Sequence, residues 1–257
     1  IIHAHQQYRI KMSYADDLIL FLKIVKILWL PLILIVLQPD TGIPIIIVVS
    51  LIVMLAMSSI KPQWLIIGSA AAIVGLIGFI FLFETNPELL GRLMGGAYKL
   101  NRFHGWLQPE KYFLTWGAQL YTALLAIGSA GMFGHGTASI ALSFAEPQND
   151  FIFAVIAKNY GLIGVGITMI VSLLFNFKLL LVALSYHGLK EKYMVTGLLG
   201  MLFFQQIQNM GMVVGLFPIT GITLPLISAG GSSLLSYMIP LAVIFHMSSE
   251  NKNKTAH

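Results

Sequence analysis

Trp64-Leu65-Ile66-Ile67-Gly68-Ser69-Ala70-Ala71-Ala72-Ile73-Val74-Gly75-Leu76-Ile77-Gly78-Phe79-Ile80-Phe81-Leu82-Phe83 contains no charged residue. A helix of about 20 apolar residues spans the hydrocarbon core of a bilayer. The whole chain shares this character: 57% of its 257 residues are hydrophobic and 10% are charged. Soluble domains carry roughly 25% charged residues. The weak alternating segments of a membrane β-barrel are absent. The fold class expected is therefore all-α, a polytopic transmembrane helical bundle. Cysteine is missing, which excludes disulfide frameworks and thiolate metal sites. The net charge of +5 points to membrane lipids or a phosphate-bearing substrate, with no nucleic acid as partner.

Toward the N-terminus, Lys61-Pro62-Gln63 closes a second apolar run, residues 43–60. Before it, Gln38-Pro39-Asp40-Thr41-Gly42 breaks the chain, and Asp40 there suits a helix cap in a turn. The first run, residues 18–37, carries Lys23 and Lys26 near its start and Pro31 inside. Long basic side chains at a span end snorkel to the interface. The chain opens Ile-Ile-His, with neither an initiator Met nor a signal-peptide pattern, and is expected to be a fragment.

Toward the C-terminus, residues 151–184 are too long for one straight crossing. Lys158, Asn159 and Tyr160 interrupt them, which places the membrane core at 162–180. A polar turn follows at 186–192. The run 194–217 carries Gln205, Gln206, Gln208 and Asn209, amides expected to bond between helices. A loop rich in proline and glycine covers 218–233, and a last apolar run covers 234–247. Six spans are expected within a single integral membrane domain over residues 1–257. Lys61, Lys178, Lys190 and Lys192 fall on the side of the termini, so the positive-inside rule places both termini in the cytoplasm. The stretch 84–150 becomes a large external loop. Its apolar part, 118–133, carries Gln119, Thr122 and Ser129 and is expected to be re-entrant or surface-lying.

That external stretch holds the candidate chemistry. Asp150 stands directly before Phe151-Ile152-Phe153. A partly desolvated carboxylate there suits a general base that takes a hydroxyl proton. It equally suits an N-cap for the following helix. Arg92, Lys99, Arg102 and Lys111 form a basic set able to hold a pyrophosphate, with Arg the better bidentate partner. Anchoring to lipid headgroups explains the same charges. The glycines between Gly128 and Gly136 allow either close backbone approach to a phosphate or close helix packing. His104, His135, His187 and His246 show no ligand spacing, so no cofactor site built by the protein is expected. A divalent cation bridging a substrate pyrophosphate stays open.

Asn209-Met210-Gly211-Met212-Val213-Val214-Gly215-Leu216-Phe217-Pro218-Ile219-Thr220-Gly221, followed by Leu224-Pro225-Leu226-Ile227-Ser228-Ala229-Gly230-Gly231-Ser232-Ser233, resembles the signature of the shape, elongation, division and sporulation family. That family comprises the FtsW, RodA and SpoVE proteins of bacterial wall synthesis. Gln38-Pro39-Asp40-Thr41-Gly42 resembles its Q-P-D-L-G turn, and Asp150-Phe151-Ile152-Phe153-Ala154-Val155-Ile156 its D-F-I-F-A-V-I. Tyr98, Arg102 and Pro109 match the entry to its large external loop. The resemblance implies a family fold of ten membrane helices, of which this chain supplies the last six. It implies a peptidoglycan glycosyltransferase of the bacterial plasma membrane that polymerises lipid II, a disaccharide-pentapeptide on undecaprenyl pyrophosphate, beside a class B penicillin-binding protein. Asp150 takes the essential acid's role and Arg102 falls on a family arginine. Asp40, Pro218, Thr220, Gly221, Ser228, Gly230 and Gly231 are expected to shape the cleft.

The active loop departs from the family pattern. Gln148-Asn149 replace its His-Thr before the aspartate, Lys158-Asn159 replace its Glu pair, and Leu100 replaces an arginine. Gln108 stands for its Asp, Thr122-Ala123 for its Q-S, and Ala229 for its Tyr. These changes leave open a non-catalytic relative that binds a penicillin-binding protein partner or a lipid-linked precursor.

Overall fold

The computed structural model describes residues 14–37, 42–58, 60–94, 96–136, 147–186 and 188–255. It is helical throughout, with no strand among the described residues, as the composition leads one to expect. Six longer helices, α1 (Tyr14–Val36), α2 (Gly42–Ala56), α3 (Pro62–Thr85), α7 (Ile152–Ser185), α8 (Leu189–Val213) and α9 (Gly231–Thr255), correspond to the six apolar runs. Between α3 and α7 lie α4 (Pro87–Leu93), α5 (Ala97–Leu107) and α6 (Ala118–Ala130).

Length and apolarity differ among the six longer helices. Among the described residues four helices are long and apolar enough to cross a membrane: α1, α3, α7 and the Gly231–Ser249 part of α9. Helix α2 has 15 residues and so reaches about 22 Å, short of a hydrocarbon core of about 30 Å. Helix α8 has the length, but Gln205, Gln206, Gln208 and Asn209 lower its apolarity. Helix α3 buries none of its residues, leaving Ile66, Val74 and Ile77 each more than 60% exposed. In lipid such a surface meets a solvent of its own polarity.

Contacts divide the chain into two compact units. One joins the chain up to Pro62 with Met169–Ile207 and the chain from Pro225 onward. Its core gathers Leu179, Ala183, Val195, Leu202, Tyr237 and Ile244. Helix α2 lies close on α8: a Cβ on Gly200 would stand 2.9 Å from the Val53 side chain. Ser50 Oγ donates to the Gly197 carbonyl at 2.9 Å. Asn176 Nδ2 of α7 donates to Gln206 Oε1 of α8, the interhelical amide bond expected of that run. Tyr186 donates its hydroxyl to the Ile244 carbonyl at 3.0 Å, tying the end of α7 to α9.

The other unit joins Gln63–Thr168 with Gln208–Leu224. Its core is Ala123, Ala126, Phe151, Phe153, Ala154, Met212, Val213 and Leu224. Helix α6 has 13 residues, too few to cross. It packs Leu120, Ala123 and Ala126 fully into the interior of this unit.

The break in α7 falls at Gly161 (φ 65°, ψ −157°), one residue beyond the interruption read at Lys158–Tyr160. That backbone conformation is essentially confined to glycine. The glycine run packs directly against it. His135 N–H donates to the Lys158 carbonyl at 2.8 Å and Gly136 N–H to that of Asn159 at 3.1 Å. On the far side, Leu162 N–H donates to Gly131 at 3.0 Å and Ile163 N–H to Met132 at 3.2 Å. A Cβ on Gly161 would stand 2.5 Å from backbone atoms of Met132 and Gly134. Of the two uses foreseen for the run, this is close packing.

Gly161→Ala is therefore expected to lose more than the ~1–2 kcal/mol that left-handed backbone costs an L-residue, because backbone cannot yield to the added methyl. Gly166 of the same helix meets open space, so Gly166→Ala is expected to hold or slightly raise stability. Thermal midpoints of the two purified variants in detergent check the contrast.

Candidate functional site around Asp150

Asp150 lies in the turn that precedes α7 and is half-buried. Val155 N–H donates to the Phe151 carbonyl at 3.1 Å, and the residue whose carbonyl takes the first helical bond is the cap. Phe151, 1% exposed, holds that position, and Asp150 stands one residue ahead of it. The aspartate is thus placed before the helix rather than as its formal N-cap.

Three of the residues read as cleft-shaping come together with Asp150 through two amides at the end of α8. Asn209, 0% exposed, donates from Nδ2 to the Asp150 carbonyl at 2.9 Å and to the Ile222 carbonyl at 2.7 Å. Gln208 donates from Nε2 to the Pro218 carbonyl and to Thr220 Oγ1, both at 3.3 Å. Between the clamped residues Thr220 and Ile222 sits Gly221, with φ +75°. A Cβ built on it would stand 3.4 Å from Asp150 Oδ2. Gly221 thus forms the backbone wall beside the carboxylate. Sequence reasoning had these amides bonding between helices. Gln208 and Asn209 instead bond to loop segments, and the available signal was that Asn209 opens the signature in which Pro218, Thr220 and Gly221 follow.

Ser228, Gly230 and Gly231 belong to the other unit. Ser228 lies in the loop before α9, and Gly231 opens that helix. Leu234 N–H donates to the Gly230 carbonyl at 3.0 Å. Asp40 lies outside the described residues, with the rest of the 38–41 turn and residues 137–146.

The basic residues are spread over α4, α5 and the turn after it. Asn86 caps α4 by accepting Leu89 N–H at 3.0 Å, and Pro87 opens the helix, both favoured at those positions. Arg92 is exposed in its last turn, lining a cavity of about 360 Å³ with Glu88, Gly96 and Leu100. Lys99 and Arg102 are half-buried on α5. Lys111 is exposed, its Nζ 5.6 Å from the centre of the Tyr112 ring.

Aromatic contacts fix α5 on the end of α3. Phe79 and Phe103 lie 4.9 Å apart, as do Phe83 and His104. Trp106 Nε1 donates to the Gly215 carbonyl at 2.8 Å, linking the basic helix to the segment that follows α8. Phe79, Phe83, Phe103 and Trp106, with Leu76 and Pro218, line an apolar cavity of about 600 Å³. Gly105 lets the chain fold back, since a Cβ there would stand 2.4 Å from the Trp116 carbonyl oxygen.

The long apolar helices mark an integral membrane protein, and a half-buried acid stands ahead of one of them. The chain belongs to the FtsW/RodA/SpoVE family of cell cycle proteins, whose family model matches residues 2–253. It is 30% identical to stage V sporulation protein E of Bacillus subtilis, over 89% of this chain and 60% of that one. It is 31% identical to the Escherichia coli peptidoglycan glycosyltransferase MrdB, over 88% of this chain and 59% of the relative. The chain thus spans little more than half the length of these relatives. Among solved structures it resembles a chain of a peptidoglycan synthase complex that coordinates polymerization and crosslinking, with a TM-score of 0.68 and 25% identity over 95% of this chain and 63% of that chain. It also shares the fold of the rod shape determining protein RodA of Thermus thermophilus, with a TM-score of 0.56 and 24% identity over 97% of this chain and 62% of RodA.

Trp106→Phe keeps an aromatic ring in the α3–α5 contact and removes the bond to Gly215. It is expected to cost about 1 kcal/mol, the usual net worth of a hydrogen bond. A lowered thermal midpoint without loss of helical circular dichroism checks this.

Proposed function

We propose that the protein to which this chain belongs is a peptidoglycan glycosyltransferase that polymerises lipid II. The Asp150 carboxylate takes the proton of the acceptor sugar's hydroxyl. The freed oxygen bonds to the donor's anomeric carbon as the bond from that carbon to the pyrophosphate breaks. Undecaprenyl pyrophosphate leaves with the electron pair. Arg102, with Lys99, Lys111 and Arg92, offsets the negative charge that builds on it. A divalent ion bridging the substrate's pyrophosphate is compatible with this step. A class B penicillin-binding protein is the partner, the termini are cytoplasmic, and the 84–150 stretch is external.

The observation that carries this reading is the junction of the family's two motifs. Gly221 of the proline-glycine signature lies against Asp150 Oδ2, and Asn209 at the head of that signature bonds the aspartate's own carbonyl. An acid set between a polar turn and the buried Phe151 is partly shielded from water. The replaced residues Gln148, Asn149 and Lys158 favour the second reading, a non-catalytic relative that holds a penicillin-binding protein or lipid-linked precursor.

Lipid II polymerisation by the full-length gene product with its partner separates the two. Asp150→Asn is expected to lower the rate by about 10²–10⁴-fold, the usual contribution of a positioned acid or base. Equal glycan from both proteins would remove Asp150 from the chemistry. No glycan from either, with partner binding retained, would establish the second reading. For orientation, the absence of cysteine from these 257 residues makes an introduced one the single label within them. A cysteine at Gln148 is expected to react with a membrane-impermeant maleimide in intact cells, and one at Lys190 only after permeabilisation. The reverse pattern would invert the topology.

A further inference from the structure

Gln208 and Asn209 are consecutive on α8, yet both side chains return to the same short loop. Asn209 is wholly enclosed and directs one amide nitrogen to two carbonyls from segments far apart in sequence, Asp150 at 2.9 Å and Ile222 at 2.7 Å. Among the described residues its Oδ1 has no hydrogen-bond partner, so the donor half of the side chain does the bracing. Gln208 holds Pro218 and Thr220. The residues on both sides of Gly221 are therefore clamped by neighbouring amides, and Gly221 stands against Asp150 Oδ2.

We infer that Asn209, backed by Gln208, is a positioning residue for the reaction: it sets the separation between the Asp150 turn and the Thr220–Ile222 wall, and so where the carboxylate stands relative to the acceptor hydroxyl. This rests on the reading of Asp150 as the base. Both amides are buried, where hydrogen bonds are strong and a lost one is costly. A purely space-filling asparagine would be replaceable by leucine, which has the same branched shape, a somewhat larger volume and no donor. A positioning asparagine would not, because a shift of about 1 Å in a reacting group costs as much as 10²-fold in rate. Gln208, with bonds of 3.3 Å, supports the wall without touching the aspartate turn, so its removal has the smaller effect.

The test uses the full-length protein with its partner and measures lipid II polymerisation per folded molecule, with folded protein counted by size-exclusion recovery and thermal midpoint. Asn209→Leu is expected to lower kcat by about 10–100-fold while KM for lipid II stays within about twofold, and Gln208→Leu to lower kcat by roughly 3–10-fold. A wild-type kcat per folded Asn209→Leu molecule, or a rise in KM alone, overturns the inference while leaving the base assignment intact if Asp150→Asn is inactive. Wild-type polymerisation by Asp150→Asn overturns both. Should Asn209→Leu fail to fold, Gln208→Leu decides: a fall in kcat at constant KM supports the clamp, and an unchanged kcat refutes it.

Discussion

A helix interrupted at the edge of a bilayer leaves amides and carbonyls that lipid cannot satisfy. In α7 the interruption at Gly161 is matched by four backbone hydrogen bonds from the glycine run, two on each side of the break. The contact is backbone on backbone, which is why Gly134 and Gly161 meet where no Cβ fits. It holds the first turns of α7 against α6, and those turns carry the buried Phe151, Phe153 and Ala154 into the same core. Asp150 immediately precedes them, so its place is inherited from this junction. The signature loop then closes on Asp150 through Asn209.

Two kinds of residue thus share the work. Glycines set the distances between backbones, and buried amides fix which loops face each other. The charged groups sit outside that frame: Arg92 and Lys111 are exposed, while Lys99 and Arg102 are half-buried on a helix held by aromatic contacts. Such an arrangement keeps the cost of ordering the acid in the scaffold rather than in the charged groups. The departures from the family pattern at Gln148, Asn149 and Lys158 lie in the turn before Asp150 and just before the break. The residues that brace the acid, Asn209 and Gly221, follow the pattern.

The helical class and the approximate extent of α1, α3 and α7 were legible because long apolar runs have few alternative folds. The position of the acid at the mouth of α7 was legible from Asp150 standing against Phe151. What the residues did not disclose came from tertiary packing. Helix α2 ends at Ala56 rather than Ile60, within a unit where it lies on Gly197 and Gly200. Helix α6 reads as re-entrant or surface-lying by its small and polar residues, and the face its alanines give to the core was not visible in that reading. Gln208 and Asn209 look like interhelical amides because hydropathy carries no direction. Only the return of the chain at Pro218–Ile222 gives them carbonyls to meet.

The central claim is that Asp150 acts as a carboxylate base, and the pH dependence of the single-turnover rate of glycan polymerisation tests it most directly. The rate should rise with pH along an acid limb as the carboxyl group ionises, and the residual rate of Asp150→Asn should lack that limb. An identical limb in both proteins would assign the titration to another group and contradict the account.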